Sequence, residues 1–196
     1  MTSKIAIISN AFVLLGKSPI SDLDVGNPIH SAASTWYETL YDGLLTVGQP
    51  WRFAMATQEL SRLVAEPILD KWQYAYQLPT DPLFYMLDQV YPKSDFLIYE
   101  DKVYSNQTEL TIDYIFKPDA ADFPAWFTLA ITYKLSASMA MLITQQITIV
   151  QLWARESEAQ IKSGRYVDSR SIPSQSLRPG AIYNAHYGNN IGEGTA

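Results

Sequence analysis

Between Ala125 and Trp153 the chain carries a single charge, Lys134. A helix here has Phe127, Ile131, Leu135, Ser138 and Leu142 on one face. Leu129, Met139, Met141 and Ile143 fall elsewhere around it. A helix apolar on nearly every side must be covered on several sides. Pro124 opens this helix and Thr144 is placed to break or kink it. A further helix over about Gln145 to Ser163 carries Ile147, Val150, Ala154 and Ile161, and Gly164 is the expected stop. A bilayer span needs about 20 predominantly apolar residues. Gln145, Gln146 and several Ser and Thr interrupt this run, so a buried helix pair is expected, with no membrane partner.

The remaining elements follow from period and punctuation. Ile5, Ile8, Phe12 and Leu15 recur at helical spacing over Ser3 to Leu15, and Gly16 and Pro19 mark the stop. Asn27 and Pro28 make a cap and first turn. The stripe Ile29, Ala33, Trp36, Leu40, Leu44 and Val47 follows, ended by Gly48 and Pro50. Trp51 to Ala65 reads as another helix through Phe53, Ala56, Leu60 and Leu63. The period then changes to two: Trp72, Tyr74, Tyr76 and Leu78 alternate with Gln73, Ala75 and Gln77, a strand. Asp81-Pro82 opens a short helix to about Val90. Phe96–Tyr99 and Val103-Tyr104 form a hairpin, and Leu110, Ile112, Tyr114 and Phe116 line one face of a third strand.

The expected fold class is therefore mainly α: a helical bundle with a small inserted antiparallel β-sheet at about 72–116, within a domain of residues 1–164. Residues 165–196 form an extended C-terminal arm. Trp36, Phe53 and Phe127 are the expected buried aromatics.

Catalytic chemistry finds little footing. The chain has no cysteine, and its two histidines, His30 and His186, lack metal-ligand spacing. The carboxylate pairs Asp22/Asp24, Glu100/Asp101, Asp119/Asp122 and Glu156/Glu158 fall in loops or on an exposed helix face. Acid–base catalysis needs two carboxylates in contrasting environments. Phosphate-loop, dinucleotide and Gly-x-Ser-x-Gly patterns are absent. No catalytic residue, cofactor or metal is expected, and the chain reads as a non-enzyme. A net charge of -6 with scattered Lys and Arg opposes tight nucleic-acid binding. The 13 tyrosines and 5 tryptophans suit either a Tyr-rich core or surfaces that become buried against a partner.

Five landmarks occur in one order: Asn10-Ala11-Phe12 with Leu14-Leu15-Gly16, Pro19-Ile20 and Leu23; Pro50-Trp51-Arg52-Phe53-Ala54; Tyr76-Gln77-Leu78-Pro79-Thr80-Asp81; Leu110-Thr111-Ile112-Asp113-Tyr114; and Phe123-Pro124 before the apolar helix. Over about residues 5 to 165 this series resembles the tubular tail protein A family of short-tailed bacteriophages, the head-to-tail adaptors. Two features depart from it. Glu100-Asp101-Lys102 stands where the family hairpin implies a glycine, and the apolar helix is poorer in alanine.

The resemblance implies a structural protein of the virion, at the head–tail interface, passing through the host cytoplasm during assembly. It implies a ring of about twelve copies, with the portal protein, the tail nozzle protein and, in many such phages, the tail fibre as partners. Genomic DNA would pass through the lumen without specific binding. A connector or assembly protein of a long-tailed phage is the alternative, and a tail-associated hydrolase a more distant one. The C-terminal arm would lie against an adjacent subunit or the portal, with Arg165, Tyr166, Arg170, Ile172, Arg178, Ile182 and Tyr183 as candidate interface residues.

Overall fold

The computed structural model describes residues 3–23, 26–64, 67 and 70–170. Helix α1 spans Lys4–Leu14, where the Ser3 hydroxyl accepts a bond from the Ala6 N–H. It ends as Gly16 takes φ 75°, a left-handed turn that costs glycine little. Helix α2 spans Pro28–Thr46, capped by the Asn27 side chain on the Ile29 N–H with Pro28 in the first turn.

The buried face of α2 differs from the expected stripe. Ala33, Tyr37, Tyr41 and Leu45 are inside, while Trp36 is 44% exposed. The face is turned by one residue, about 100°. A stripe chosen on aliphatic residues passed over tyrosines, whose rings are apolar and whose hydroxyls need only one acceptor. The Tyr41 hydroxyl finds one in the Pro118 carbonyl. Of the other expected buried aromatics, Phe127 is fully enclosed and Phe53 half-buried.

The expected helix from Trp51 to Ala65 does not form over residues 51–64, and Ala65 lies outside the described residues. A single 3-10 turn, Arg52–Ala54, leads into strand β1, Met55–Glu59. The three–four spacing was accidental, because the chain then crosses between two sheets. Leu60 donates its N–H to Leu110 and Leu63 to Ala75, so residues three apart serve different layers. Strand β2, Tyr74–Gln77, follows. The expected helix after Asp81-Pro82 is replaced by a Thr80–Leu83 bridge and strand β3, Phe84–Tyr91. Strands β4, Phe96–Tyr99, and β5, Lys102–Ser105, form the hairpin, and β6 is Thr111–Phe116.

The expectation of a mainly α bundle with one small inserted sheet is thus corrected to α+β. Two three-stranded antiparallel sheets, ordered β1-β6-β3 and β2-β5-β4, occupy Met55–Phe116. Leu60, Tyr76, Leu78, Val90, Val103, Leu110, Ile112 and Tyr114 fill a core of their own.

Strand β6 joins the two halves. Ile112 and Tyr114 enter the sheet core, whereas Ile115 points the other way into the helical core with Trp51, Phe123 and Phe127. Alternation along a strand makes this two-sided service possible.

Helix α3, Ala125–Thr144, turns at the left-handed Gln145 into helix α4, Ile147–Ser169. The two run antiparallel, with Tyr133 against Trp153 and Trp126 beside Gly164. By length and composition α3 could cross a membrane. In this fold its Phe127, Ile131, Leu135 and Met139 are buried in the helical core shared with α1 and α2.

Gly164 does not stop α4, which continues to Ser169. A Cβ at Gly164 would lie 2.9 Å from Trp126 Cε3, so the glycine serves close helix packing. Gly43 in α2 has open space around it. Gly164→Ala is expected to lose about 1–2 kcal/mol, since overpacking outweighs the roughly 1 kcal/mol gain in helix propensity. Gly43→Ala is expected to gain about 0.5–1 kcal/mol. Denaturant midpoints of the two variants, moving in opposite directions, check both.

Candidate interaction surfaces

The segment Pro50-Trp51-Arg52-Phe53-Ala54 is the junction where α2 hands over to the first sheet. Trp51 is fully buried, and its indole N–H donates to the Leu44 carbonyl at 2.7 Å. The Trp126 ring stacks on it at 5.1 Å, and the Arg165 guanidinium carbon stands 3.4 Å from its centroid. Arg165 also donates Nη1 to the Gln49 carbonyl and Nη2 to Val47 O at 3.3 Å. One turn on, the buried Asp168 carboxylate accepts the Arg52 N–H at 2.8 Å. Burial pulls the Arg165 pKa below its ordinary value, and the Asp168 charge opposes that pull.

Arg165, expected on an outward-facing arm, is therefore occupied inside the fold and belongs to α4. Tyr166 is 66% exposed, with the Arg170 guanidinium 5.9 Å from its ring. Ile172, Arg178, Ile182 and Tyr183 lie outside the described residues.

A second cluster ties α1, α2 and the segment after β6. Lys4 pairs with Glu38 at 2.7 Å, and Lys117 with Asp42 at 2.6 Å and Glu38 at 3.4 Å. The two ammonium groups lie over the rings of Tyr37 and Tyr41. The hydrogen bond from Lys4 holds Glu38 below the ordinary carboxylate value of 4.5, against partial burial. Burial would lower Lys117, but its bond to Asp42 and the two carboxylate charges raise it instead. Burial, with nearby acidic charge, pushes the Tyr37 and Tyr41 hydroxyls well above their usual range. They stay protonated, and Tyr41 donates to the Pro118 carbonyl. The cluster borders an open depression of about 620 Å³. Its charges are mutually satisfied, so it acts as a clasp between elements.

The remaining acidic pairs stand apart. Asp22 accepts the N–H of Leu23, Glu100 and Asp101 form the hairpin turn, and Asp119 precedes a 3-10 turn that Asp122 ends. Glu156 and Glu158 are exposed on α4. Asp24 and His186 lie outside the described residues. His30 packs edge-on against Phe12 at 5.7 Å. No group of three His, Asp or Glu placed to hold a metal occurs among the described residues.

What the surface offers is apolar. At the α3–α4 turn Met141, Leu142, Ile147 and Leu152 are each more than half exposed. Around the sandwich Leu83, Met86, Tyr91, Phe96, Leu97 and Tyr99 are also uncovered. Where such side chains lie together they are candidate contact surfaces, since large contiguous apolar patches often mark contacts with other molecules. Trp126, Asp168, Glu38, Asp42 and Lys117, which fix these surfaces in place, were not singled out by the sequence. Their partners are 34 to 116 positions away, and no local pattern announces them. Neither the protein-family models nor the curated proteins compared with the chain give a match.

Two expectations follow. Arg165→Met keeps the stem but leaves the Gln49 and Val47 carbonyls without their donor, and is expected to cost about 1–3 kcal/mol. Arg165→Lys is expected to recover less than half of that loss, since an ammonium cannot lie flat on an indole while reaching both carbonyls. Thermal unfolding of the pair provides the measurement. Glu38, with its folded pKa depressed, contributes stability above pH 4.5 that is lost as pH falls through the folded value. Its side chain is 47% exposed, so Glu38→Gln is expected to cost under about 1 kcal/mol at pH 7. Unfolding curves of the variant and the parent should converge once the pH falls below the folded pKa of Glu38.

Proposed function

We propose that the chain is a structural assembly protein of a bacteriophage, a subunit of the head-to-tail adaptor ring that joins the portal to the tail nozzle. The observation that carries this reading is the exposed apolar surface at the α3–α4 turn and around the sandwich, two places on one subunit. A ring subunit needs at least two unlike contact surfaces, because each copy meets its neighbour heterologously. The five sequence landmarks support the same reading. In the fold they occupy α1 and its stop, the Trp51 junction, the exit from β2, strand β6 and the entry to α3. Most of these positions lie where helices and sheets meet.

The charge balance also agrees. A net charge of -6 suits a conduit through which DNA must slide, since acidic walls repel phosphates. The titratable clusters near Lys117 and Asp168 are spent on holding elements together.

A cryo-EM reconstruction of virions from the host phage tests the reading. The expected density places about twelve copies of this chain in a ring beneath the portal. Particles lacking the chain, or carrying one copy, would overturn it.

A further inference from the structure

Four strands form the edges of the two sheets, and three are protected against pairing with another chain. Strand β3 is broken by two register shifts. Strand β2 is covered by the segment before it, through the Arg62–Tyr76 bridge and the bond from Gln77 N–H to Ser61. Strand β1 is polar over Thr57, Gln58 and Glu59 and ends in a charge. Register shifts, covering segments and charges are the usual means of blunting an edge. Strand β4 has none of them. It reads Phe-Leu-Ile-Tyr, is paired in regular register with β5, and leaves Phe96, Leu97 and Tyr99 exposed.

The hairpin fixes which backbone groups are open. Tyr99 and Lys102 close a two-residue turn and form its hydrogen-bonded pair. Bonded and non-bonded pairs alternate along an antiparallel ladder. Leu97 therefore also bonds to β5, while Phe96 and Ile98 direct their N–H and C=O groups away from the sheet.

From this edge we propose that β4 pairs antiparallel with β4 of a second copy, about a two-fold axis at Leu97, to make one continuous six-stranded sheet. The charges select both the occupant and the register. With the axis at Leu97, Phe96 bonds to Ile98 of the second copy in both directions, and Lys93, in the segment leading into the strand, comes toward the turn residue Asp101 of the other copy, whose carboxylate also meets Lys102 at 3.7 Å and Gln77 at 3.0 Å. With the axis at Ile98, Asp95 would face Asp101 of the other copy, a like-charge pair that destabilises. Lys93 is exposed and forms no ion pair among the described residues. Tyr99 comes opposite Asp95, where its hydroxyl can donate to the carboxylate.

This pairing closes on itself and does not rest on the adaptor reading. A ring requires heterologous contacts, so the dimer is a form of the free chain that ring assembly would have to open.

Sedimentation velocity of the full chain from micromolar to millimolar loading tests it. The expected result is a reversible monomer–dimer equilibrium. Phe96→Pro removes an outward N–H at the first position of the strand, where proline is tolerated. It should weaken association at least about tenfold with the melting transition unchanged. Lys93→Asp should weaken it similarly, and adding Asp101→Lys should restore it. Amide exchange of the parent chain is a second readout that needs no variant. Phe96 and Ile98 should exchange more slowly as loading rises. A chain that stays monomeric at millimolar loading overturns the pairing. So does association that ignores both Phe96→Pro and Lys93→Asp, or exchange at these amides that does not depend on concentration.

Discussion

The buried indole of Trp51 is the contact on which the arrangement of this chain depends. Three separate segments close on it: Leu44 of α2 through a hydrogen bond, Trp126 of α3 through stacking, and Arg165 of α4 through its guanidinium. Gly164 lets α4 approach close enough for Trp126 to sit flat, and Asp168 ties the following residue, Arg52, by its backbone. Each partner is weak or moderate alone. A cation over an indole contributes about 0.5–2 kcal/mol and one net hydrogen bond about 1. Their joint effect is directional: they fix where the chain leaves the helices and enters β1. Without that exit angle β1 could not lie against β6, and neither core would close.

Strand β6 carries the constraint onward. Its neighbours on either side, β1 and β3, share its inward residues Ile112 and Tyr114, while Ile115 is taken by the helical core. A slip of one residue would expose both sets together. The two cores are therefore coupled through register rather than through a broad interface. The clasp of Lys4, Glu38, Asp42 and Lys117 holds the segment leaving β6 against α1 and α2. Those pairs are partly exposed and add modestly, but they set the angle between strand and helices.

What the sequence made legible was local. Ser3, Asn27 and Pro28 announce helix starts because their side chains bond or shape the adjoining turn. The β4–β5 hairpin and β6 follow from alternation over a few residues. What it hid was remote. β1 and β3 carry no strong strand signal and take their form from pairing with β6. The α2 face was misplaced because Tyr37 and Tyr41 count as polar in a stripe and as core in a fold. Gly164 has the composition of a stop, but its role is contact with a ring 38 positions earlier. Arg165 was expected to face outward for the same reason. An arginine near a helix end ordinarily does, unless an indole and two free carbonyls wait beside it.

Binding energy is thus partitioned in an instructive way. Arg165, Asp168, Lys117 and Asp42 are bound up within the chain, while several large apolar side chains and the unprotected β4 edge are left exposed. Partners of such a surface are selected by shape and by backbone register, since apolar contact is non-directional and a ladder is not. The hairpin turn sharpens that selection. Glu100 holds a φ of 56°, a conformation costly for a side chain other than glycine. Asp101 offsets the cost by bonding Gln77 Nε2 at 3.0 Å, while its carbonyl accepts the Leu78 N–H. A glycine in place of Glu100 would relax the turn but would remove one of the two carboxylates at this end of β4. Keeping acidic residues at this turn places negative charge at one end of an otherwise uncharged strand. That gives the edge a polarity, and polarity is what allows one register to be preferred over its neighbours.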